Sequence, residues 1–156
     1  MMLLVLLFVW FCGVNGFQTR WIVMDRRRLS SSKVSIHSVD EITWEAEVEK
    51  NSSPVLAFFT APWCGPCRLV KPIISEIAGD YGPGTGVESS NILKVVVIDT
   101  DEVPPEMPEK FGVTSIPTLL LVKDGKMVDR IVGAVPKSAL LTMLRNKFGL
   151  DIAGTV

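Results

Sequence analysis

Pro54-Val55-Leu56-Ala57-Phe58-Phe59-Thr60-Ala61-Pro62-Trp63-Cys64-Gly65-Pro66-Cys67 is the stretch on which the fold turns. Its first six residues form a continuous apolar run of strand length, as expected for a strand covered on both faces. A pair of cysteines spaced by two residues follows at once. Beyond it the period changes. Val70, Ile73, Ile74, Ile77 and Ala78 recur at helical spacing, predicting a helix from near Cys64 to about Tyr81 with those residues buried. Pro72 falls inside that helix and is expected to kink it, because proline removes one backbone hydrogen bond. A buried strand feeding straight into a helix, with reactive groups at the junction, indicates an α/β domain.

The flanking sequence extends the same pattern. Upstream, Val34 to Ile36 is a short β candidate. Ser38 with Glu41 three residues on resembles a capping box, and Ile42, Trp44 and Val48 give a short amphipathic helix to about Asn51. Downstream, Gly82 to Ser90 reads as a loop and Ile92 to Ile98 as a second buried strand. Pro105 to Phe111 is a short helix. Thr118 to Val122 and Met127 to Val132 are strands joined by a tight turn at Asp124-Gly125. Ser138 to Phe148 closes the chain as an amphipathic helix striped by Leu140, Leu141, Leu144 and Phe148, with Pro136 near its start and Gly149 just past its end. The expected fold is a mixed central sheet flanked by helices, without internal repeats.

The spacing of Cys64 and Cys67 suits reversible chemistry. Two intervening residues at the first turn of a helix bring the sulfurs within bonding distance. Cys64 lies where unsatisfied backbone N–H groups and the positive end of the helix dipole point, which favours a thiolate and lowers the thiol pKa. Cys64 is therefore the expected nucleophile, and Cys67, one turn deeper, the expected resolving thiol. Two competing readings are an inert buried pair and half of a zinc site. Zinc requires about four ligands. Besides this pair the chain carries only Cys12, near its N-terminus, and one histidine, His37. No metal and no cofactor are expected.

Ala61-Pro62-Trp63-Cys64-Gly65-Pro66-Cys67 resembles the active site of the thioredoxin family, and the likeness extends from about residue 38 to residue 149. The resemblance implies the thioredoxin fold and thiol–disulfide oxidoreductase activity, with Trp63, Gly65 and Pro66 supporting the two cysteines. Pro72 matches the family's helix proline. Ser115-Ile116-Pro117-Thr118 matches the loop whose proline is cis and faces the active-site sulfurs. Gly133 and Ala134, after Val132, match the third wall of the groove that receives a target chain. Gly-Pro between the cysteines is typical of reductants, whereas oxidases and isomerases of the family carry His in the second slot. Disulfide-containing target proteins are the implied substrates. A thioredoxin reductase, ferredoxin- or NADPH-dependent, is the implied electron donor.

Three positions depart from the family pattern. Phe58 stands six residues before Cys64, where a buried Asp is common. Counting back four residues from Asp99 places Val95 where that Asp's Lys partner is often found. Replacing both members of a buried ion pair with apolar residues is tolerated more readily than losing one. Thr60 replaces a frequent Trp. The 82–90 loop is about six residues longer than in compact bacterial members, a surface insertion of modest entropic cost.

Composition bounds the remaining possibilities. The chain has 156 residues, 47% of them hydrophobic, a mean hydropathy of +0.34 and a formal net charge of −1. That excludes a disordered chain and a nucleic-acid binder. The charge is divided unevenly: residues 1–35 carry five basic groups and one acid, whereas residues 36–156 carry 11 basic and 16 acidic groups. Residues 1–12 are almost unbroken apolar and as a helix would span roughly 18 Å, short of a bilayer core. The expectation is a signal peptide over 1–16, a basic, hydroxylated transit-like segment over 17–35, and the thioredoxin domain over 36–156. A signal segment followed by Phe17 and an Arg- and Ser-rich stretch resembles the bipartite presequence of algae with complex plastids. This predicts a plastid protein with no stable membrane association after processing. The alternatives are an uncleaved anchor, and a protein of the ER lumen or secreted space acting as a thiol oxidase or isomerase. A redox-inactive binding subunit is a third reading, against which the intact cysteines argue.

Overall fold

Alternating residues of one buried strand supply both cores of the domain. A computed structural model describes residues 36–85 and 92–150. The expectations for the signal and transit segments, for Val34 and Ser35, and for 86–90 of the long loop lie outside the described residues. The elements run β1 (Ile36–Ser38), α1 (Glu41–Trp44, continuing as a π-helical turn over Glu45–Glu49), β2 (Val55–Thr60), α2 (Cys67–Tyr81) and β3 (Lys94–Asp99). They continue with α3 (Glu106–Lys110), β4 (Thr118–Lys123), β5 (Lys126–Val132) and α4 (Lys137–Phe148). The sheet order is β1-β3-β2-β4-β5. β1 and β2 pair parallel to β3, while β4 runs antiparallel to β2 and β5 antiparallel to β4. This is the mixed, helix-flanked sheet of the α/β class that the sequence predicts.

β2 lies at the centre of the sheet and is fully buried over Val55–Phe59. Its period of two divides those residues between the sheet faces. Leu56 and Phe58 join Val70, Ile74 and Ile77 of α2 and Leu140, Leu144 and Phe148 of α4. Val55, Ala57 and Phe59 join Trp44, Val48, Val96, Ile98 and Met107 on the face covered by α1, its π-helical turn and α3. The predicted core of α2 holds, except that Ile73 is only half-buried. Leu141 of α4 is likewise half-buried.

The ends of the elements differ more. Ser38 belongs to β1, and the N-cap of α1 is Asp40 rather than Ser38. The Asp40 carboxylate accepts from the Thr43 backbone N–H at 2.8 Å, and the Asp40 N–H donates to Thr43 Oγ1 at 3.0 Å. The Thr43 hydroxyl also donates to Asp40 Oδ1 at 2.7 Å, and this bond, followed by that from the Thr43 N–H, holds the Asp40 carboxyl below its ordinary pKa. With the helix beginning two residues later than expected, Ile42 turns outward and is 88% exposed, while Trp44 and Val48 are buried as predicted. The chain then widens into the π-helical turn, closed by the Lys50 N–H donating to the Glu45 carbonyl at 2.8 Å. This register lets Trp44 Nε1 donate to Glu49 at 3.0 Å.

The β4–β5 turn has Asp124 at φ 50° and Gly125 at φ 72°. Positive φ at both central positions is the two-residue hairpin geometry whose twist matches the strands. Gly125 is required for space as well. A Cβ there would lie 2.3 Å from the Glu49 carbonyl oxygen, because the turn packs against the end of the π-helical segment. α4 ends on Gly149 in the left-handed region, its N–H donating to the Arg145 carbonyl at 2.9 Å. No helix among the described residues is long and apolar enough to cross a membrane.

Candidate active site

The two cysteines sit where β2 gives way to α2. β2 ends at Thr60, a turn over Ala61–Pro66 follows, and Cys67 is the first residue of the helix. The helix thus starts three residues later than the sequence suggests. Cys64 lies outside it, in the turn closed by its own N–H donating to the Ala61 carbonyl at 3.1 Å. Pro66 is the N-cap, a position at which its missing N–H costs nothing. Cys64 and Cys67 are joined as a disulfide with Cα atoms 5.3 Å apart. The Cys67 backbone N–H donates to Cys64 Sγ at 3.2 Å. An orphan donor at a helix start, directed at a sulfur, stabilises negative charge there when the bond is reduced.

Burial does not separate the two cysteines. Cys64 is 3% exposed and Cys67 2%. What separates them is position: one precedes the helix and receives its N–H, the other is built into its first turn. Trp63, Gly65 and Pro66 are all exposed around them. Trp63, 68% exposed, is held from the side by Asp101, whose carboxylate accepts the indole N–H at 2.9 and 3.2 Å. Asp101 is placed by its own N–H donating to Asp99 Oδ1 at 3.0 Å. Sequence reading missed Asp101. An acid 38 residues away in a loop gives no local signal, and only the parallel pairing of β2 with β3 brings the two strand ends together.

β4 runs antiparallel to β2, so its start lies at the sheet end where β2 stops: Phe59 pairs with Thr118. The loop before β4 is thereby carried to the cysteine end of the sheet. The Ile116–Pro117 peptide bond is cis, as the resemblance implies. Ile116 packs against the cluster that contains both cysteines. The Pro117 carbonyl accepts from the Gly133 N–H at 2.8 Å, which joins the 115–117 loop to the segment after β5. Gly133 has φ 93°, a conformation that side chains other than glycine's rarely adopt. Ser115 and Ala134 are exposed on the two sides of this junction. The structure therefore gathers Ser115, Ile116, Pro117 and Gly133 into one unit. Trp63 and Asp101 form a second.

Both positions singled out in the sequence, Phe58 and Val95, are buried and apolar. Phe58 is fully buried in the same cluster as Cys64 and Cys67. Its partner across the parallel pair is Val97, whereas Val95 lies opposite Leu56. Val95 and Val97 share the face, so the place opposite Phe58 and the diagonal one opposite Leu56 are apolar, while the other diagonal, opposite Thr60, is Asp99. Thr60 is half-buried, and its carbonyl accepts from the Thr100 backbone N–H at 2.9 Å. His37 is exposed on the edge strand β1, and no group of three or more metal-ligating side chains occurs among the described residues.

Comparison with known proteins agrees with this arrangement. The thioredoxin family model matches residues 35–146. Thioredoxin 1 of Synechococcus elongatus is 47% identical over 107 residues, covering 69% of this chain and 92% of that protein. Thioredoxin of Pyropia yezoensis is 46% identical over 115 residues, covering 74% and 98%. Thioredoxin M-type, chloroplastic, of Chlamydomonas reinhardtii is 39% identical over 115 residues, covering 74% and 76%.

Proposed function

The chain belongs to the thioredoxin family and is a thiol–disulfide oxidoreductase of the reductase kind; from that premise we propose that it reduces protein disulfides in a plastid, with Cys64 attacking and Cys67 resolving. The observation that carries the assignment of roles is the Cys67 N–H directed at Cys64 Sγ. In the reduced protein the Cys64 thiolate attacks one sulfur of a target disulfide. A mixed disulfide forms and the first target thiolate leaves and takes a proton. Cys67 then gives up its proton and attacks Cys64 Sγ, releasing the second target thiolate. Two electrons have passed to the target, and the Cys64–Cys67 bond is the oxidised end state. A thioredoxin reductase, ferredoxin- or NADPH-dependent, returns the two electrons. Ser115, Ile116, Pro117, Gly133 and Ala134 form the groove that holds the target chain, and Trp63, Gly65 and Pro66 flank the reacting sulfur.

Phe58 and Val95 stand where the family's buried acid and its lysine partner are common, so neither position can take up a proton. The Cys67 proton therefore leaves to water at the opened site or to the departing sulfur. Plastid location is supported by the M-type chloroplastic relatives and by the apolar-then-basic composition of residues 1–35. We assign 1–16 as signal, 17–35 as transit segment and 36–156 as the thioredoxin domain. The second reading, a lumenal oxidase or isomerase, rests on the same apolar N-terminal run. Against it stands Gly65-Pro66 between the cysteines.

Trapping tests the roles. Cys67→Ser is expected to accumulate mixed disulfides with targets and Cys64→Ser to accumulate none; the reverse pattern overturns the assignment. A redox potential near about −270 mV fits a reductant, and one near about −180 mV fits an isomerase. Imaging of residues 1–35 fused to a fluorescent protein, with mass spectrometry of the native N-terminus, tests the presequence.

A further inference from the structure

We propose that Thr118 is a positioning residue for target binding: its hydroxyl fixes the Ser115–Pro117 segment, through Ser115, in the form that presents Ile116 to a target chain. The proposal rests on the reductase reading above. Thr118 is the sole buried polar side chain among the described residues, at 0% exposure. The rest of β4 up to Val122 is buried Leu and Val, so the packing at this place asks only for an apolar residue of that shape. Valine has the shape without the hydroxyl, and a buried hydroxyl is costly unless it is hydrogen-bonded. Here it is: Thr118 Oγ1 donates to the Ser115 carbonyl at 2.7 Å, a short bond for a hydroxyl donor.

That bond spans Ile116 and Pro117. On the other side of the loop the Gly133 N–H donates to the Pro117 carbonyl at 2.8 Å. The carbonyls on both sides of Ile116 are thus committed inside the protein. The Ile116 backbone N–H and C=O have no partner among the hydrogen bonds of the described residues. Ile116 is also only half-buried. A free N–H and C=O on one residue beside a strand end is a group with which a passing chain can make strand-like hydrogen bonds. Thr118 itself is locked on both flanks, opposite Phe59 of β2 and Val132 of β5. Its hydroxyl therefore ties the loop to a residue paired on both sides in the sheet.

The test compares Thr118→Val and Thr118→Ser in the full-length protein, with two disulfide substrates. Insulin needs a chain-binding surface, whereas the small aromatic disulfide DTNB does not. Thr118→Val is expected to lower kcat/KM for insulin about three- to tenfold, the loss of one ordinary hydrogen bond, mainly through KM. DTNB reduction and the redox potential should stay within error of wild type, and Thr118→Ser should retain insulin reduction. An equal fall for both substrates, an unchanged insulin rate, or Thr118→Ser behaving as Thr118→Val would each overturn the proposal. Should Thr118→Val fail to fold, Thr118→Ala against Thr118→Ser isolates the hydroxyl with the methyl removed from both. Failure of the wild-type protein to reduce insulin would instead overturn the reductase reading.

Discussion

Phe58 and Phe59 are neighbours in sequence, identical in chemistry and equally buried, yet they serve opposite faces of the sheet. Phe58 packs in the cluster that contains the disulfide. Phe59 packs in the cluster beneath α1 and α3, with its ring 6.1 Å from that of Trp44. The face carrying the chemistry is lined by aliphatic side chains and the phenyl groups of Phe58 and Phe148. The other face has an aromatic centre, where Trp44 and Phe111 lie 4.5 Å apart, and ends in a cavity of about 370 Å³. That cavity is rimmed by Glu41, Glu45, Glu49, Glu106 and Lys110, so its mouth is charged. The difference shows that a strong nucleophile can be placed against a dry core, provided that the charge it develops is met by backbone N–H groups. Here those belong to the start of α2.

The strongest way to break this comparison is to put a charge on the dry face. Phe58→Asp buries a carboxylate with no basic side chain in its cluster, and should destabilise the domain by about 4 kcal/mol or more. Urea unfolding measures this. A loss below about 1 kcal/mol, together with a near-neutral carboxyl titration by NMR, would mean that the site already accommodates an acid. A gentler pair sharpens the same contrast. Phe58→Leu and Phe59→Leu should each cost about 1–2 kcal/mol through the volume lost. Only Phe58→Leu should alter the thiol pKa values or the rate of DTNB reduction, since only Phe58 packs with the sulfurs; equal effects from both would erase the distinction between the faces.

The third prediction concerns the loops at the cysteine end. Asp101→Ala releases the Trp63 indole N–H and is expected to lower insulin reduction about two- to fivefold with little change in stability. Unchanged kinetics would remove Asp101 from the site. The smallest effects come from one ion pair on each face. Lys137 reaches Glu76 at 2.9 Å and Asp80 at 3.4 Å, tying α4 to α2, while Lys94 meets Glu47 at 2.5 Å, tying β3 to the π-helical turn. The Glu76 hydrogen bond, more than any other cause, raises the Lys137 pKa above 10.5. Its contribution is therefore complete at neutral pH and disappears as pH rises through the folded-state value. The Lys94 hydrogen bond lowers the Glu47 pKa below 4.5, so that contribution is complete above 4.5 and disappears as pH falls through the folded-state value. Lys137→Met should flatten the alkaline limb of the stability profile and Glu47→Gln the acid limb. Each should cost below about 1 kcal/mol at pH 7, as partly exposed pairs do.

What was legible in the sequence is what has a local cause. The run at 55–59, the spacing of Cys64 and Cys67, the Asp124-Gly125 turn and Gly149 after α4 each declare themselves within a few residues, and the structure places them as read. What escaped depends on partners far along the chain or on competition between near-equal local choices. Ser38 and Asp40 both carry capping side chains; pairing of β1 with β3 takes Ser38 into a strand, which leaves Asp40 as the cap. The helix starts only at Cys67 because Ala61–Pro66 is consumed by the turn that carries the chain out of the sheet. That Val97 stands opposite Phe58, with Val95 one pair along, follows from the register of the whole β2–β3 pair, which no local signal gives. Thr118 reads from sequence as one β-branched residue at a strand start, and nothing nearby announces its bond to Ser115.

Hairpin tips are commonly chosen as insertion points for tags, epitopes or fused domains, because most of them project into solvent. In this protein the Asp124-Gly125 tip is a poor choice. Gly125 lies so close to the Glu49 carbonyl that even one added carbon atom would collide with it. A graft there would push on the π-helical turn, and through Trp44 on the whole core beneath α1 and α3, while leaving the cysteines untouched. Gly84, at φ 87° with nothing within 4 Å of an added Cβ, is the roomier place to splice in extra chain.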